Sequence, residues 1–137
     1  LMNEKGKEVS QNFYWRSNDK YEGRKTLTGP ATSGFEALST LKQAKVKASV
    51  QGYVQDGREY VKVRVQNTSG VLAFFTQLQL TDEMGTPVRP AFFTDNFFSL
   101  LPGETREVVV DTKKTDGTQY RIVVKGWNQS HQNISVK

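Results

Sequence analysis

The sequence has no cysteine and a single histidine, His131, and both shortages limit the chemistry open to it. Without cysteine there is no disulfide, no thiolate metal site and no cysteine nucleophile. A zinc site of the usual ligand types needs several histidines or cysteines, and a Ser-His-Asp triad would depend on His131 alone. His131 lies among polar residues, and no nucleophile-elbow motif is present. We therefore expect no metal and no cofactor, and interpret His131 as a surface residue.

Long apolar runs and phosphate-binding loops are missing as well. No apolar run approaches the roughly 20 residues that a membrane-spanning helix needs. The N-terminus has no hydrophobic region of the signal-peptide kind. Gly23, Gly29 and Gly34 do not follow a strand at the spacing of a phosphate-binding loop. From these absences we expect no membrane partner and no bound nucleotide.

The net charge is +5, but it is not concentrated enough to predict a nucleic-acid partner. Residues 1–47 carry nine basic and five acidic side chains, and the remainder carries ten and nine. A nucleic-acid-binding protein usually gathers its positive charge on one face. We interpret the basicity as ordinary solvated surface.

From Ala44 onward, apolar and polar residues alternate with a period of two, which is typical of strands with one buried face. Turn signals separate the runs at Asp56-Gly57, Glu83–Thr86, Pro102–Glu104 and Asp116-Gly117. The apolar members are Val46, Ala48 and Val50; Val61, Val63 and Val65; Leu72, Phe74, Leu78 and Leu80; Val108 and Val110; Tyr120, Ile122 and Val124; and Ile134 and Val136. The pattern predicts an all-β, antiparallel sandwich of about seven strands.

The residues before Ala44 have a different organisation. Leu1 to Trp15 reads as a β-hairpin that begins partway along a strand, so we expect the chain to start inside a larger polypeptide. Residues 18–43 form a linker in which Ser33 and Glu36 have capping-box spacing ahead of a short helix. The predicted domains are a terminal hairpin over 1–17, the linker over 18–43 and the sandwich over 44–137.

Candidate contact residues are mainly aromatic. Most carboxylates lie in turns, where they normally face water, so we assign no catalytic residue. Asp95 is interpreted as an Asx-turn residue that bonds nearby backbone amides, with a ligand contact as the alternative. Four phenylalanines between Ala91 and Leu101 are too many to leave in water, because burying each is worth about 1.5–3 kcal/mol. The candidate interdomain or sugar contacts are Trp15, Phe92, Phe93, Asp95, Asn96, Phe97, Phe98 and Trp127.

Two stretches carry a resemblance to a known family. Gly6 to Trp15, GKEVSQNFYW, resembles the end of the immunoglobulin-like domain that follows the catalytic barrel in glycoside hydrolase family 2 enzymes of the β-mannosidase and exo-β-D-glucosaminidase group. Pro90 to Glu104, PAFFTDNFFSLLPGE, resembles the terminal immunoglobulin-like domain of the same enzymes. The segment from Pro30 to Leu41 is similar to the piece that joins these two domains.

The resemblance implies an immunoglobulin-like fold and a supporting role. The family's catalytic glutamates lie on its barrel, so those roles transfer to no residue of this chain. The implied partner is the catalytic barrel of the same polypeptide, and the implied parent is a periplasmic or secreted β-glycosidase acting on β-mannosides or β-glucosaminides. The alternative is an independent carbohydrate-binding module that uses exposed aromatic residues.

Overall fold

The computed structural model describes Glu4 and residues 36–112 and 119–137. The hairpin expected over 1–17, with Trp15 in it, and the turn at Asp116-Gly117 lie outside the described residues. The chain divides into two compact units, Leu1–Leu41 and Lys42–Lys137. In the first, the predicted short helix is a 3₁₀ helix, Glu36–Thr40. At three residues per turn, its five residues make close to two turns.

The second unit is the predicted sandwich of two antiparallel sheets, and the all-β, immunoglobulin-like prediction is confirmed. One sheet has the order β1-β2-β6-β4 and the other β5-β3-β7-β8. The strands are β1 Val46–Gln55, β2 Arg58–Asn67, β3 Ala73–Thr81, β4 Ala91–Phe93, β5 Phe98–Leu100, β6 Thr105–Thr112, β7 Arg121–Gly126 and β8 Gln129–Ser135. The described residues thus hold eight strands, because the irregular aromatic segment contains two three-residue strands, β4 and β5, that are too short to show alternation.

The core lies between the two sheets and follows the alternation of the sequence. Val61 and Val63 of β2 face Val110 and Val108 of β6 in register, and all four are buried. In the other sheet Leu78 and Leu80 of β3 pair with Val124 and Ile122 of β7, again fully buried. Burying each such side chain stabilises the fold by about 1.5–3 kcal/mol. This apolar layer is what places the loops at the ends of the sandwich.

The turn between β1 and β2 shows how local sequence sets the register. Asp56 and Gly57 both have positive φ, 51° and 73°. This is the backbone of a two-residue type I′ hairpin loop, which Asp-Gly favours. Gln55 consequently pairs with Arg58, and the register continues to Val46 opposite Asn67.

Along one side of the sandwich, β1 and Ala44 before it are bonded to residues 128–137. The Ala44 amide donates to the Asn128 carbonyl at 2.7 Å, and the Gly52 amide donates to the Lys137 carbonyl at 2.9 Å. The Gln132 side chain adds a bond from Nε2 to the Val46 carbonyl at 2.9 Å. The other side ends in β4 and β5. Among the described residues, no helix is long and apolar enough to cross a membrane.

Candidate functional site

The loop between β4 and β5, residues 94–97, is the centre of the candidate site, and an arginine of β6 anchors it. The Arg106 guanidinium binds the Asp95 carboxylate at 2.9 Å and the Glu104 carboxylate at 3.3 Å. Its carbon atom Cζ also lies 5.7 Å from the centre of the Phe98 ring. Asp95 was interpreted as an Asx-turn residue, and in the structure its Oδ2 is paired with Arg106, a contact that the sequence did not predict. All three charged groups retain partial solvent contact, so each pair contributes little, at most about 1 kcal/mol.

Asn96, the next residue, takes the role of bonding to backbone. Its Oδ1 accepts from the Leu78 amide at 2.8 Å, and its Nδ2 donates to the Leu78 carbonyl at 2.9 Å. The same Oδ1 accepts from the Phe97 amide at 3.0 Å. A side-chain amide has the same donor and acceptor as a peptide group. Asn96 therefore serves as a one-residue strand partner for β3.

β3 needs such partners because its first half is irregular. It pairs with β5 at Ala73↔Leu100 and Thr76↔Phe98, and the register shifts between these two positions. A shift of this kind is a β-bulge, which leaves backbone groups without a ladder partner. Buried groups of that sort cost about 1–3 kcal/mol each unless another donor or acceptor is supplied.

Side chains supply the missing bonds around the bulge. The Asn128 side chain accepts from the Phe74 amide at 2.9 Å and donates to the Leu72 and Lys42 carbonyls, both at 2.8 Å. Gln129 Nε2 donates to the Phe74 carbonyl at 3.2 Å and to Thr76 Oγ1 at 2.8 Å. Ser99 Oγ accepts from the Phe75 amide at 3.2 Å. Asn128, Gln129, Thr76 and Ser99 are all buried, so the bulge is held by a rigid interior network.

Two phenylalanines next to this network have unusual backbone conformations. Phe75 has φ 55° and Phe97 has φ 56°. A positive φ is an outlier for a bulky side chain and costs about 1–3 kcal/mol at each position. The two rings touch, with centroids 5.4 Å apart and planes inclined by 45°. About half of each side chain is nevertheless exposed, 47% for Phe75 and 50% for Phe97. We call these two residues the phenylalanine pair.

The remaining candidate aromatics have different surroundings. Phe98 is buried, and Phe93 packs against the core. Phe92 is 65% exposed and lies opposite Asp111 across β4 and β6. Trp127 is 59% exposed, and its amide donates to the Phe74 carbonyl at 3.0 Å.

The structure thus brings Asp95, Asn96, Phe97 and Phe98 together and adds three residues that the sequence did not single out as contacts. These are Phe75, Glu104 and Arg106. The consecutive phenylalanines at 74 and 75 were a signal, because one of two adjacent apolar residues in an alternating strand must face out unless the strand bulges. The sequence around Arg106 did not indicate its role, because its partner Asp95 is 11 positions away and only the fold brings the two together.

A second feature lies at the hairpin end of the sandwich. An open cavity of about 350 Å³ there is lined by residues that include Tyr53, Glu59, Tyr60 and Tyr120. The rings of Tyr53 and Tyr60 stack, with centroids 5.4 Å apart and planes inclined by 19°. In the described part of the chain, no group of three or more His, Cys, Asp or Glu side chains could hold a metal ion.

Comparison with known proteins places these features in a family. A model described as the exo-β-D-glucosaminidase Ig-fold domain matches residues 26–129. The exo-β-D-glucosaminidase of Amycolatopsis orientalis is 32% identical over 98% of the chain and 14% of its own length. That of Streptomyces avermitilis is 33% identical over 98% of the chain and 16% of its own length.

A solved structure gives the same picture. The exo-chitosanase CsxA of Amycolatopsis orientalis, in complex with PNP-β-D-glucosamine, superposes with a TM-score of 0.80 at 29% identity. The match covers 98% of this chain and 17% of that one. The chain therefore spans about one-seventh of the length of the curated relatives it matches.

Proposed function

Since this chain belongs to the exo-β-D-glucosaminidase Ig-fold domain family, we propose that it is a non-catalytic accessory domain of a family 2 glycoside hydrolase. In this proposal it packs against the catalytic barrel of the same polypeptide and holds that barrel in its active shape. The parent enzyme removes β-linked glucosamine, the activity for which the relatives above 30% identity are named.

The proposal rests on one observation: the polar side chains of the candidate site bind other groups of this chain. Retaining glycosidases need two carboxyl groups about 5 Å apart, one of which gives up a proton. Here Asp95 and Glu104 are held by one guanidinium, and a Glu104 oxygen also accepts from the Leu101 amide at 2.9 Å. Asn96, Asn128 and Gln129 bond to the chain's own backbone. These polar side chains therefore stabilise the fold and its surface, which is the role that the proposal gives to an accessory domain.

The direct test is hydrolysis of an aryl β-D-glucosaminide. The 137-residue chain is expected to give no turnover, and the full-length polypeptide that contains it is expected to hydrolyse the substrate. Removal of this domain from the full-length polypeptide should shorten the half-life of the activity on heating, because the barrel loses a packing partner. Turnover by the 137-residue chain alone, at a rate above that of a heat-denatured sample, contradicts the proposal.

The exposed tryptophan and the tyrosine-lined cavity favour a second candidate, an independent carbohydrate-binding module. Trp127 is more than half exposed, and the stacked Tyr53 and Tyr60 border the cavity. Aromatic rings with polar tips suit contacts that are partly apolar and partly wet. Titration with chitosan oligomers tests this candidate through tryptophan fluorescence, with Trp127→Leu as the control. Saturable quenching that the variant loses would support it, and a flat response at millimolar sugar would dismiss it.

A further inference from the structure

We propose that the phenylalanine pair, Phe75 and Phe97, is the centre of the surface through which this domain docks on the catalytic portion of the same polypeptide. The inference rests on the proposed function and adds the surface that carries it out. The contacts predicted from the sequence did not include Phe75, and the structure shows Phe98 buried and Phe93 packed against the core.

The backbone is strained at both positions of the pair. Phe75 lies in β3, and Phe97 lies in the loop between β4 and β5. Both nevertheless have positive φ, and both direct a large apolar ring outward. Folding alone would favour glycine or asparagine at such positions, because a bulky side chain there is penalised. Strain at two touching, half-exposed rings is therefore explained by what the rings contact once the domain is assembled.

Hydrogen bonds fix the backbone that carries both rings. Asn96 precedes Phe97 and is bonded to both backbone groups of Leu78. The Phe75 amide is bonded to Ser99 Oγ, and Phe74 is bonded to Asn128 and Gln129. Contact residues whose conformations are already fixed lose less entropy on binding, so such a surface is pre-organised.

The length of the relatives indicates what contacts the phenylalanine pair. The chain is matched along 98% of its length by relatives and solved structures of which it covers 14–17%. In a polypeptide of that size, the remainder is tethered to this domain and is present at high effective concentration. A small apolar pair can therefore form a lasting contact with it, although the same area would be too small for two separate proteins.

The phenylalanine pair is better suited to contact a protein surface than a sugar. A sugar-binding surface needs a flat ring face with polar groups beside it that are free to bond hydroxyl groups. The two rings are inclined by 45°, so they do not form one flat platform. The neighbouring amides of Asn96 and Asn128 are already bonded to backbone. An apolar protein side chain inserted between the rings needs no such bonds.

The experiment is hydroxyl-radical footprinting of the wild-type protein, which needs no substitution. Oxidation of Phe75 and Phe97 is measured by mass spectrometry in the 137-residue chain and in the full-length polypeptide. We expect both to be several-fold less oxidised in the full-length polypeptide. Met84 is the reference, because it is 89% exposed and lies in the turn that follows the far end of β3. Its oxidation is expected to be equal in the two samples.

A variant then tests whether the ring itself makes the contact. Phe97→Gly removes the ring and suits the positive φ, so the domain is expected to keep its fold. In the full-length polypeptide this variant should raise Phe75 oxidation to the level seen in the 137-residue chain with the same substitution, which is the reference because the two rings touch. A Phe75 that stays protected in the variant would overturn the role of the pair.

The other outcomes separate this inference from the proposed function. Protection of Met84 without protection of the pair overturns the inference and leaves docking through another face. No protection of the pair overturns the inference whatever happens at Met84, whereas glucosaminide turnover by the 137-residue chain overturns the non-catalytic role alone. Protection of the pair in the 137-residue chain by chitosan oligomers would assign the surface to carbohydrate and overturn the inference.

Discussion

Asn96 binds Leu78 by both of its backbone groups, with the amide donating to Oδ1 at 2.8 Å and the carbonyl accepting from Nδ2 at 2.9 Å. The two residues are 18 positions apart in sequence, and the loop that carries Asn96 has no strand of its own at this point. One side chain thus completes the hydrogen bonding of a fully buried core residue. The stability of the sandwich should therefore be sensitive to a residue that looks like an ordinary loop asparagine.

Asn96→Ala is expected to lower the free energy of unfolding by about 1–3 kcal/mol, because the amide and carbonyl of Leu78 lose their partner. Urea denaturation followed by circular dichroism measures the change. Asn133→Ala is the matched control, since Asn133 is exposed on β8 and should change stability by no more than about 0.5 kcal/mol. Equal losses in the two variants would contradict the role assigned to Asn96.

Phe97→Gly is expected to be more stable than Phe97→Ala by about 1 kcal/mol, because alanine is penalised at positive φ and glycine is not. At Phe92, which is also exposed (65%) but lies in the extended strand β4, the order should reverse, with alanine the more stable by about 0.5–1 kcal/mol. Thermal or urea unfolding of the four variants tests this inversion. The same order at both positions would show that Phe97 is not held in the left-handed conformation.

Leu100→Ala should destabilise the sandwich by about 2–5 kcal/mol, because Leu100 is fully buried in the core and truncation leaves a cavity. Its neighbour Leu101 is 56% exposed, so Leu101→Ala should cost no more than about 0.5 kcal/mol. The comparison uses the same chemical change at adjacent positions, and chemical denaturation resolves it. A large loss at Leu101 would instead indicate that its side chain packs against this domain.

Arg106→Lys is expected to lower stability by about 1 kcal/mol, because a lysine cannot bind both carboxylates with a planar group while covering the Phe98 ring. The difference from wild type should shrink in 1 M salt, since the ion pairs are partly exposed and are screened. Arg64→Lys, on the exposed face of β2, is the control and should have no measurable effect at either salt concentration. A loss that is independent of salt would assign the role of Arg106 to packing alone.

The fold could be predicted from the sequence wherever one face of a strand is buried. The alternation of Val61, Val63 and Val65 places β2 and its buried face, and Asp56-Gly57 predicts the hairpin turn that fixes its register. These features are local, so a single sequence contains them. The three-residue strands β4 and β5 could not be found this way, because their pairing with β6 and β3 depends on partners far along the chain.

The candidate site was predicted less completely, for a physical reason. Phe97 and Asn96 were expected to make contacts because they lie in an aromatic loop, but nothing local indicates that Phe75 adopts positive φ. Local preference opposes that conformation for phenylalanine, and it persists because buried side chains hold the surrounding backbone. Positions where tertiary contacts override local preference are the ones that a single sequence conceals.

The short strands at one side of the sandwich have a consequence for how the protein behaves at high concentration. An exposed sheet edge offers unpaired backbone groups to other molecules, and long flat edges promote aggregation. Here two of the four sheet edges, β4 and β5, are three-residue strands, and the edge strand β1 is bonded to Gln132 and Lys137. These two short edges therefore give a second molecule little backbone on which to extend a sheet, so sheet extension at that side of the sandwich should not drive aggregation at high concentration.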